Sequence, residues 1–298
     1  METKREGQPG TARQQTPGGA HDWQVWSGDD AQAHIAVPLA TGDKYSRGVL
    51  GVICGSARYP GAAVLSVEAA MRTGVGMVRY VGAKRPSTLV LQRRPEVVTG
   101  VGRVQAWLIG SGIDAESRSA KVTARIRSAL ADGVPVVLDA GALDLVGEAT
   151  GPVIITPHFR ELAVALDTVG ERVDAHDIAR EPARWAAHAA DALGVTVLLK
   201  GSTTYVAAPS GVRLTTRTGS GWLATAGTGD VLGGVLGALV ATHAERLGDA
   251  PATALAQLGA TAAYVHGVAA ARASRGGPIA ALDVAEALPA TLRALLAV

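Results

Sequence analysis

Short apolar runs that end in polar or glycine-rich segments recur along this chain, and they constrain its fold more than any other feature. Two examples are residues 49–54, which run into Gly55-Ser56, and residues 195–199, which run into Lys200. Stretches with helical periodicity separate most of these runs. Apolar strands that alternate with helices are typical of βαβ units with a parallel sheet. The pattern therefore predicts an α/β fold with a central, mostly parallel sheet flanked by helices.

The same pattern gives the predicted elements. Strands are expected at residues 49–54, 77–81, 107–110, 136–139, 153–156 and 195–199, with a hairpin at 204–207 and 212–215 around Pro209-Ser210-Gly211. Helices are expected at residues 60–73, 117–131, 159–166, 178–193, 228–244, 252–272 and 284–297. Ligands of such sheets bind beyond the carboxyl ends of the strands. Nearly every polar motif of this chain falls at such a strand end.

Composition narrows the class of protein. The chain has 298 residues, of which 48% are hydrophobic and 4% aromatic, so Ala, Val, Leu and Gly must fill its core. A formal net charge of +2 without a basic stripe argues against nucleic-acid binding. The apolar stretches are too short or too interrupted to cross a membrane, and no secretory signal is visible. The single cysteine, Cys54, permits no internal disulfide, which favours the cytoplasm.

The beginning of the chain differs from the rest. Residues 1–20 are polar and rich in turn formers, which predicts disorder. Residues 21–45 are expected to lie as an arm on the domain surface, and five apolar side chains could dock it: Trp23, Trp26, Ile35, Val37 and Leu39. We therefore divide the chain into an N-terminal arm, 1–40, and one domain, 41–298.

The strongest local motif is Gly227-Thr228-Gly229-Asp230, which comes directly before an apolar helix. Glycines at this position let backbone N–H groups point at an anion, and the helix dipole adds positive potential. A carboxylate beside such a site could take a proton from an attacking hydroxyl. Alternatively, Asp230 only caps the helix. The sequence contains neither a G-x-G-x-x-G motif nor a Walker-type P-loop.

Further polar segments follow other predicted strands. Lys200-Gly201-Ser202-Thr203-Thr204 could hold phosphate or ribose, or could be a solvated turn. His158, after Thr156-Pro157, could form a hydrogen bond with a substrate. Glu161 could help to hold Mg²⁺ or orient water. Both could equally be features of a helix start.

The remaining candidates are weaker when taken singly. Asp139 could bind metal through water or cap a turn, and Gly110-Ser111-Gly112 would let a ligand lie on the backbone. Cys54 and His266 are interpreted as packing residues.

Together these segments resemble the ADP- or ATP-dependent NAD(P)H-hydrate dehydratases, a ribokinase-like family. The matching segments occur in family order over residues 44–298: Arg47–Ser56, Tyr59–Ala63, Ala70–Gly76, Gly110–Gly112, Leu138–Leu143, Thr156–Leu162, Leu199–Thr204 and Leu223–Asp230. Pro60-Gly61-Ala62-Ala63 and Thr156-Pro157-His158 discriminate within the superfamily. Gly227-Thr228-Gly229-Asp230 is shared with its small-molecule kinases.

The resemblance implies a lyase that repairs hydrated NADH or NADPH, with ADP or ATP consumed and Mg²⁺ at the phosphates. By this analogy Asp230 is the base, and the backbone from Gly227 to Asp230, with Gly227 and Gly229 as catalytic residues, stabilises developing charge. The hydrated cofactor would contact the following residues: Ala63, Gly112, His158 and Asp230. The nucleotide would contact Lys200, Gly201, Ser202, Thr203, Thr204 and Gly229. The family also implies a homo-oligomer.

Some features depart from the family or leave alternatives open. Cys54 replaces a usual glycine, and Phe159-Arg160 replaces a usual Pro-Gly. The family often carries an epimerase domain, and the stretch before the match is too short for one, so we expect a separate epimerase. A thiazole or hydroxymethylpyrimidine kinase of the same fold would use Asp230 similarly. A non-catalytic nucleotide-binding regulator is a third possibility, against which the intact Asp230 argues.

Overall fold

One ten-stranded sheet organises the structure, a computed structural model that describes residues 23–217 and 219–297. The disorder predicted for residues 1–20 therefore lies outside the described residues. The strands are β1 Gln24–Val25, β2 Val49–Ile53, β3 Met77–Tyr80, β4 Val98–Thr99, β5 Ala106–Ile109, β6 Val136–Leu138, β7 Val153–Ile155, β8 Thr196–Leu199, β9 Thr204–Ala207 and β10 Arg213–Thr216.

Helices connect most of these strands. They are α1 Gly28–Ala33, α2 Pro60–Thr73, α3 Lys84–Arg93, α4 Ala120–Leu130, α5 Phe159–Asp167, α6 Ala175–Arg180, α7 Pro182–Leu193, α8 Thr228–His243, α9 Pro251–Ser274 and α10 Ala281–Leu296. A 3-10 helical stretch, Ala140–Glu148, follows β6.

The strand order is β1-β10-β9-β8-β7-β6-β5-β2-β3-β4. Among the described residues only β9 runs against its neighbours, because a short turn joins it to β10 and a short loop joins it to β8. All other neighbouring strands are parallel. The predicted central, mostly parallel sheet and its C-terminal hairpin are confirmed.

Alternating side chains of the strands divide the core into two layers. Leu50 and Val52 of β2 pack with α2, α8, α9 and α10 on one face, whereas Val49 and Ile53 pack with α4, α5 and α7 on the other. Nearly all of α8 is buried, and its glycines let it approach its neighbours closely. A Cβ atom at Gly234 would lie 2.3 Å from the backbone oxygen of Ser66 in α2. Helices therefore flank the sheet on both faces, as predicted.

One predicted helix needs correction, and several elements were not predicted. The helix expected at residues 178–193 is two helices, α6 and α7, because Glu181 leaves the helical region at φ −133° directly before Pro182. The residue before a proline is disfavoured in helical geometry, and proline suits the first turn of the next helix. The elements that escaped prediction include β1 and α1 in the arm, α3, β4 and the 3-10 stretch. β4 has only two residues, and the 3-10 stretch has no helical periodicity to detect.

The N-terminal arm docks through its aromatic residues. β1 pairs with β10, and Trp26 is buried with its Nε1 donating to Oγ1 of Thr261 in α9 at 3.1 Å. Val37 and Leu39 are 63% and 73% exposed, so the docking role considered for these two is wrong. Both follow α1 in a turn region that the sheet does not reach. The division into 1–40 and 41–298 stays a prediction.

Within the described residues, no helix combines the length and the apolar character needed to cross a lipid bilayer.

Candidate functional site

The carboxyl ends of five parallel strands meet at one edge of the sheet, where backbone hydrogen bonds join their exits. Gly55 N–H donates to the Ser111 carbonyl at 2.7 Å, and Lys200 N–H donates to that of Pro157 at 2.8 Å. Gly110 separates two of these exits at φ 119°, and a Cβ there would lie 1.8 Å from the Asp139 carbonyl oxygen. Glycine is required at this position, so the polar side chains that follow the strands are held close together.

Asp139 is the centre of a buried polar cluster at this edge. Its Oδ1 accepts from Nζ of Lys200 at 2.9 Å and from Thr156 Oγ1 at 2.8 Å, while its Oδ2 accepts from Ser111 Oγ at 2.7 Å. Burial alone would raise the pKa of Asp139, but the Lys200 charge and these three hydrogen bonds outweigh burial and lower it. Asp139 is therefore ionised and fixed, which excludes it as a free base or a mere turn cap.

The first turn of α8 is built as an open anion site. Gly227 precedes it in the left-handed conformation, φ 89°, and no side chain caps the helix. Thr228 turns its hydroxyl away, donating to the carbonyls of Leu223 and Thr225. A Cβ at Gly229 would lie 3.6 Å from Nζ of Lys200, so the ammonium group lies beside the free N–H groups. Backbone dipoles and a cation are thus aimed at one position.

Asp230 lies in this turn but does not cap it, which rejects the structural alternative for this residue. Burial raises the pKa of Asp230 to about 6, and the negative charge of Asp139 adds to the shift. The neighbouring Ser111 hydroxyl, which donates to Asp139, and the charge of Lys200 oppose this shift and lower the pKa of Asp230. A carboxylate with a pKa near neutrality beside an anion site has the properties of a general base.

A cavity of about 760 Å³ opens beside the first turn of α8. It is lined by His158, Lys200, Gly201, Ser202, Thr204, Thr216, Arg217, residues 219–221, Leu223, Ala224, Thr225, Thr228, Gly229, Leu232, Ala263, His266 and Gly267. The structure therefore brings together all residues expected to contact nucleotide except Thr203, which does not line the cavity. Its volume suits a nucleotide-sized ligand.

Two of the residues expected to contact the hydrated cofactor, Ala63 and Gly112, lie in a second group, whereas His158 lines the large cavity. A Cβ atom added at Gly112 would lie 2.4 Å from the Cβ of Ala62 and 3.2 Å from the Cα of Gly55. A Cβ atom added at Gly55 would lie 2.9 Å from the Cβ of Ala63. No bulky side chain therefore separates three segments: loop 55–59, the start of α2 and the β5 exit. We call this region the glycine corner. Ser111 joins this corner to Asp230.

His158 and Glu161 form a reciprocal helix cap at the start of α5. His158 N–H donates to Glu161 Oε2 at 2.8 Å, and Glu161 N–H donates to Nδ1 of His158 at 3.2 Å. Glu161 Oε2 also lies 3.5 Å from Nζ of Lys200. His158 is half exposed and lines the cavity, so capping leaves its ring available to a ligand.

Among the described residues, no three His, Cys, Asp or Glu side chains are arranged to hold a metal ion. The carboxylates closest to such an arrangement, Asp139 and Glu161, are already paired with Lys200. These residues do not fit a metal ion held by the protein alone. A contact of Glu161 with Mg²⁺ stays a prediction.

Several cavity residues were missed in the sequence, among them Thr216 and His266. Thr216 ends β10 without any motif, and His266 was interpreted as packing within an Ala-rich helix. Both line the cavity. The one available signal was a lone histidine within a helix of small residues.

The two departures from the family pattern are accommodated by packing. Cys54 is fully buried, and burial raises its pKa far above the usual range, so the thiol is unreactive, as expected. Phe159 packs in the core layer beside Gly201, where a Cβ would lie 3.3 Å from its ring.

Comparisons with known proteins agree with this geometry. The family model described as NAD(P)H-hydrate dehydratase matches residues 50–289. The chain is 41% identical over 226 residues, 71% of its length, to the bifunctional NAD(P)H-hydrate repair enzyme Nnr of Mycobacterium leprae, and spans 45% of that protein. It thus spans about half the length of that relative.

A shorter relative and a solved structure extend the likeness. The chain is 32% identical to the ADP-dependent (S)-NAD(P)H-hydrate dehydratase of Xanthomonas campestris, covering 71% of this chain and 78% of the relative. The ADP/ATP-dependent NAD(P)H-hydrate dehydratase of Bacillus subtilis, co-crystallised with ATP and Mg²⁺, superposes with a TM-score of 0.81 at 26% identity, covering 93% of this chain and all of that one. The fold is ribokinase-like, and the chain belongs to the NAD(P)H-hydrate dehydratase family.

Proposed function

We propose that this protein is an ADP- or ATP-dependent hydro-lyase that returns the (6S)-hydrate of NADH or NADPH to NAD(P)H. One observation supports this most: Asp230, with a pKa of about 6, lies in the uncapped first turn of α8, next to Thr228 and Gly229 of the large cavity and near Ser111, which adjoins Gly112 of the glycine corner. The corner would hold the hydrated ring, and the cavity would hold the nucleotide.

Asp230 acts first in the proposed reaction. Its carboxylate accepts the proton of the C6 hydroxyl as that oxygen attacks the terminal phosphorus of the nucleotide. The bond between that phosphorus and the bridging oxygen breaks, so ADP leaves as AMP and ATP leaves as ADP. The ring nitrogen lone pair then expels the phosphate from C6, and loss of the adjacent proton restores the ring double bond. The pKa of Asp230 keeps much of it ionised at neutral pH.

Binding and charge stabilisation come from the surrounding groups. The N–H groups of Gly227 through Gly229 face the transferring phosphoryl group, and Lys200 lies beside them. Such preorganised donors stabilise charge that develops in the transition state. Gly201, Ser202 and Thr204 would contact the nucleotide from the cavity wall, with Thr203 and Gly229 completing the predicted set. Ala63, Gly112 and His158 would contact the hydrated cofactor.

Mg²⁺ would enter bound to the nucleotide phosphates, since the protein offers no complete ligand set among its described residues. Mg²⁺ usually retains waters and takes one or two carboxylates together with phosphate oxygens. It would neutralise phosphate charge, and Glu161 is the nearest candidate for a water-mediated contact.

A small-molecule kinase of the same fold is the alternative. The structural likeness to hydroxyethylthiazole kinase of Pyrococcus horikoshii, with a TM-score of 0.60 at 18% identity, concerns the fold alone. The glycine corner and the match to the dehydratase family over residues 50–289 favour the hydrate.

The proposal extends to partners and location. An epimerase that interconverts the hydrate isomers would supply the (6S) form, and the bifunctional repair enzymes among the relatives support such pairing. A homo-oligomer and the cytoplasm complete the proposal. Neither nucleic acid nor membrane is part of it.

The test mixes purified protein with chemically prepared NADH hydrate and Mg²⁺, with ADP and ATP in separate samples. We expect the near-ultraviolet absorbance of NADH to return only when nucleotide is present. A stable phosphorylated product formed from a thiazole or pyrimidine alcohol, without NADH recovery, would instead establish the kinase.

A further inference from the structure

Three buried polar atoms of residues that line the large cavity have no partner among the described residues: Nε2 of His266 in α9, Oγ1 of Thr216 at the end of β10, and Oγ of Ser220. The two that belong to buried residues are those of His266 and Thr216. His266 is 8% exposed and Thr216 is 4% exposed. Most buried polar side-chain atoms in proteins are hydrogen-bonded, and an orphan costs about 1–3 kcal/mol. Two orphans from separate elements in one cavity indicate that a ligand supplies the missing bonds.

The protonation of His266 fixes what its free nitrogen offers. Burial lowers the pKa of His266 to about 4, so the ring is neutral, although a hydrogen bond to the Thr228 backbone opposes the shift. Because Nε2 is the unpartnered nitrogen, we assign the bond with the Thr228 backbone to Nδ1. That bond raises the pKa of His266, as a bond donated by the ring to a carbonyl does, so Nδ1 is assigned as the donor. A neutral imidazole protonated at Nδ1 accepts at Nε2. The cavity therefore contains a buried hydrogen-bond acceptor, Nε2 of His266, that has no donor among the described residues.

The position of His266 favours the base of the nucleotide. Its partner Thr228 lies in the first turn of α8, whose N–H groups are proposed to hold phosphate. The same cavity has apolar or small lining residues: Leu223, Leu232, Ala263 and Gly267. Such walls suit a flat aromatic ring, and among purine bases adenine carries an amino donor where hypoxanthine carries an oxygen acceptor.

We propose that His266 is the base-selecting residue of the nucleotide site, its Nε2 accepting a hydrogen bond from the exocyclic amino group of adenine, with the Thr216 hydroxyl as a second contact to the nucleoside. This proposal rests on the proposed nucleotide dependence, and it names His266 as the residue that distinguishes adenine from other bases. It also reverses the interpretation of His266 as a packing residue.

Isothermal titration calorimetry with ADP, inosine diphosphate and 2′-deoxy-ADP tests the proposal on the unmodified protein. Inosine diphosphate would place an oxygen against the Nε2 acceptor and leave it unpaired, so it should bind about tenfold or more weakly than ADP. 2′-Deoxy-ADP should bind within a few-fold of ADP. Equal affinity for ADP and inosine diphosphate overturns the proposal, as does a loss confined to 2′-deoxy-ADP.

Matched variants assign the effect to His266. His266→Asn keeps a donor for the Thr228 carbonyl but removes the Nε2 acceptor, so it should weaken ADP binding about tenfold and abolish discrimination against inosine diphosphate. His266→Gln places an acceptor near the Nε2 position and should retain part of the discrimination. Thr216→Val should weaken every nucleotide, whereas Thr291→Val, which removes a buried hydroxyl outside the cavity, should weaken none.

The outcomes separate the two proposals. Unchanged ADP affinity and base preference in folded His266→Asn overturns the role of His266 while NADH recovery by the wild type still stands. A wild-type protein that binds ADP with the expected preference but recovers no NADH contradicts only the proposed function. Absence of nucleotide binding by the wild type contradicts both.

Discussion

The Nζ atom of Lys200 lies 2.9 Å from Oδ1 of Asp139, and the two residues come from the ends of β8 and β6. Asp139 is almost fully buried, whereas about a fifth of the Lys200 side chain is exposed toward the anion site. The pair therefore places one face of an ammonium group against a fixed carboxylate and leaves another face free. Lys200 can contribute charge at the phosphate position without bringing an uncompensated cation into the protein.

Replacing Lys200 with Met tests this pairing. It leaves the Asp139 carboxylate buried without its counter-charge, and we expect a loss of about 3–5 kcal/mol in unfolding free energy. Urea denaturation at neutral pH measures it. Adding Asp139→Asn should recover most of the stability, because no buried charge remains, but should not recover nucleotide affinity. A double variant no more stable than the single one would contradict the pairing argument.

Asp230→Asn should abolish NADH recovery, by about a thousandfold or more, because the amide cannot accept the hydroxyl proton. ADP affinity should stay within a few-fold, because the backbone of the first turn of α8 is unchanged. Stopped turnover with intact calorimetric binding is the expected result. Near-normal turnover in Asp230→Asn would show that another group is the base.

The same substitution should change stability in a pH-dependent direction. The pKa of Asp230 is raised from 3.8 to about 6 in the folded protein, so its contribution to stability is fully present below about pH 4 and is lost as the pH rises through about 6. At pH 8 the unfolding free energy of Asp230→Asn should therefore exceed that of the wild type by an amount on the order of 2 kcal/mol. The variant should accordingly unfold at a higher temperature. At pH 4 the gain should vanish. Thermal melts at both pH values measure this, and an equal gain at both would contradict a raised pKa.

Ser111→Ala should move the acid limb of the pH profile. The Ser111 hydroxyl lowers the pKa of Asp230, in opposition to burial, so its removal should raise that pKa above about 6. The acid limb of kcat/KM should shift to higher pH, with activity at pH 8 reduced far less than activity at pH 6. Ser117→Ala, which removes an exposed hydroxyl bonded to Asp114, is the control and should leave the profile unchanged. A uniform loss across the pH range would indicate a packing effect only.

Glu68 offers a test of stability away from the site. Its fully buried side chain accepts hydrogen bonds from Arg72, Arg93 and Arg94 and so joins α2 to α3. Burial opposes its ionisation, but these arginines outweigh burial and lower its pKa to about 2. Its stabilisation is therefore present above about pH 4.5 and lost as the pH falls toward 2.

Glu68→Gln should destabilise the protein at pH 7 by about 2 kcal/mol, with a smaller difference at acidic pH. Denaturant titrations across this range measure it. Glu286→Gln breaks an exposed pair with Arg93 and should cost less than about 1 kcal/mol. A difference between wild type and Glu68→Gln that does not vary with pH would contradict the assignment.

Much of the fold could be predicted because its signals are local. The buried strands β2, β5 and β8 are apolar runs bounded by glycine or polar residues, and α8 follows a glycine-rich start. β4 and the 3-10 stretch lack such patterns. Pro182 was a readable signal of the break between α6 and α7, and it was outweighed by the Ala-rich periodicity around it.

The site was only partly readable for a different reason. Asp230, Lys200 and His158 lie in motifs whose residue types imply chemistry. His266 lies in α9, far along the chain from Lys200, and it lines the same cavity only because the fold brings α9 to that wall. The sequence alone does not show this proximity. The Asp139–Lys200 pair likewise joins residues 61 positions apart, which only the sheet order brings together.

The two residues of β1 also matter beyond the arm in which they lie. They cover the outer edge of β10, and Trp26 fastens them to α9. An uncovered strand edge is a template on which a second chain can add by backbone hydrogen bonding. A protein without residues 24–33 would keep every group proposed for its chemistry, and its characteristic failure would be aggregation.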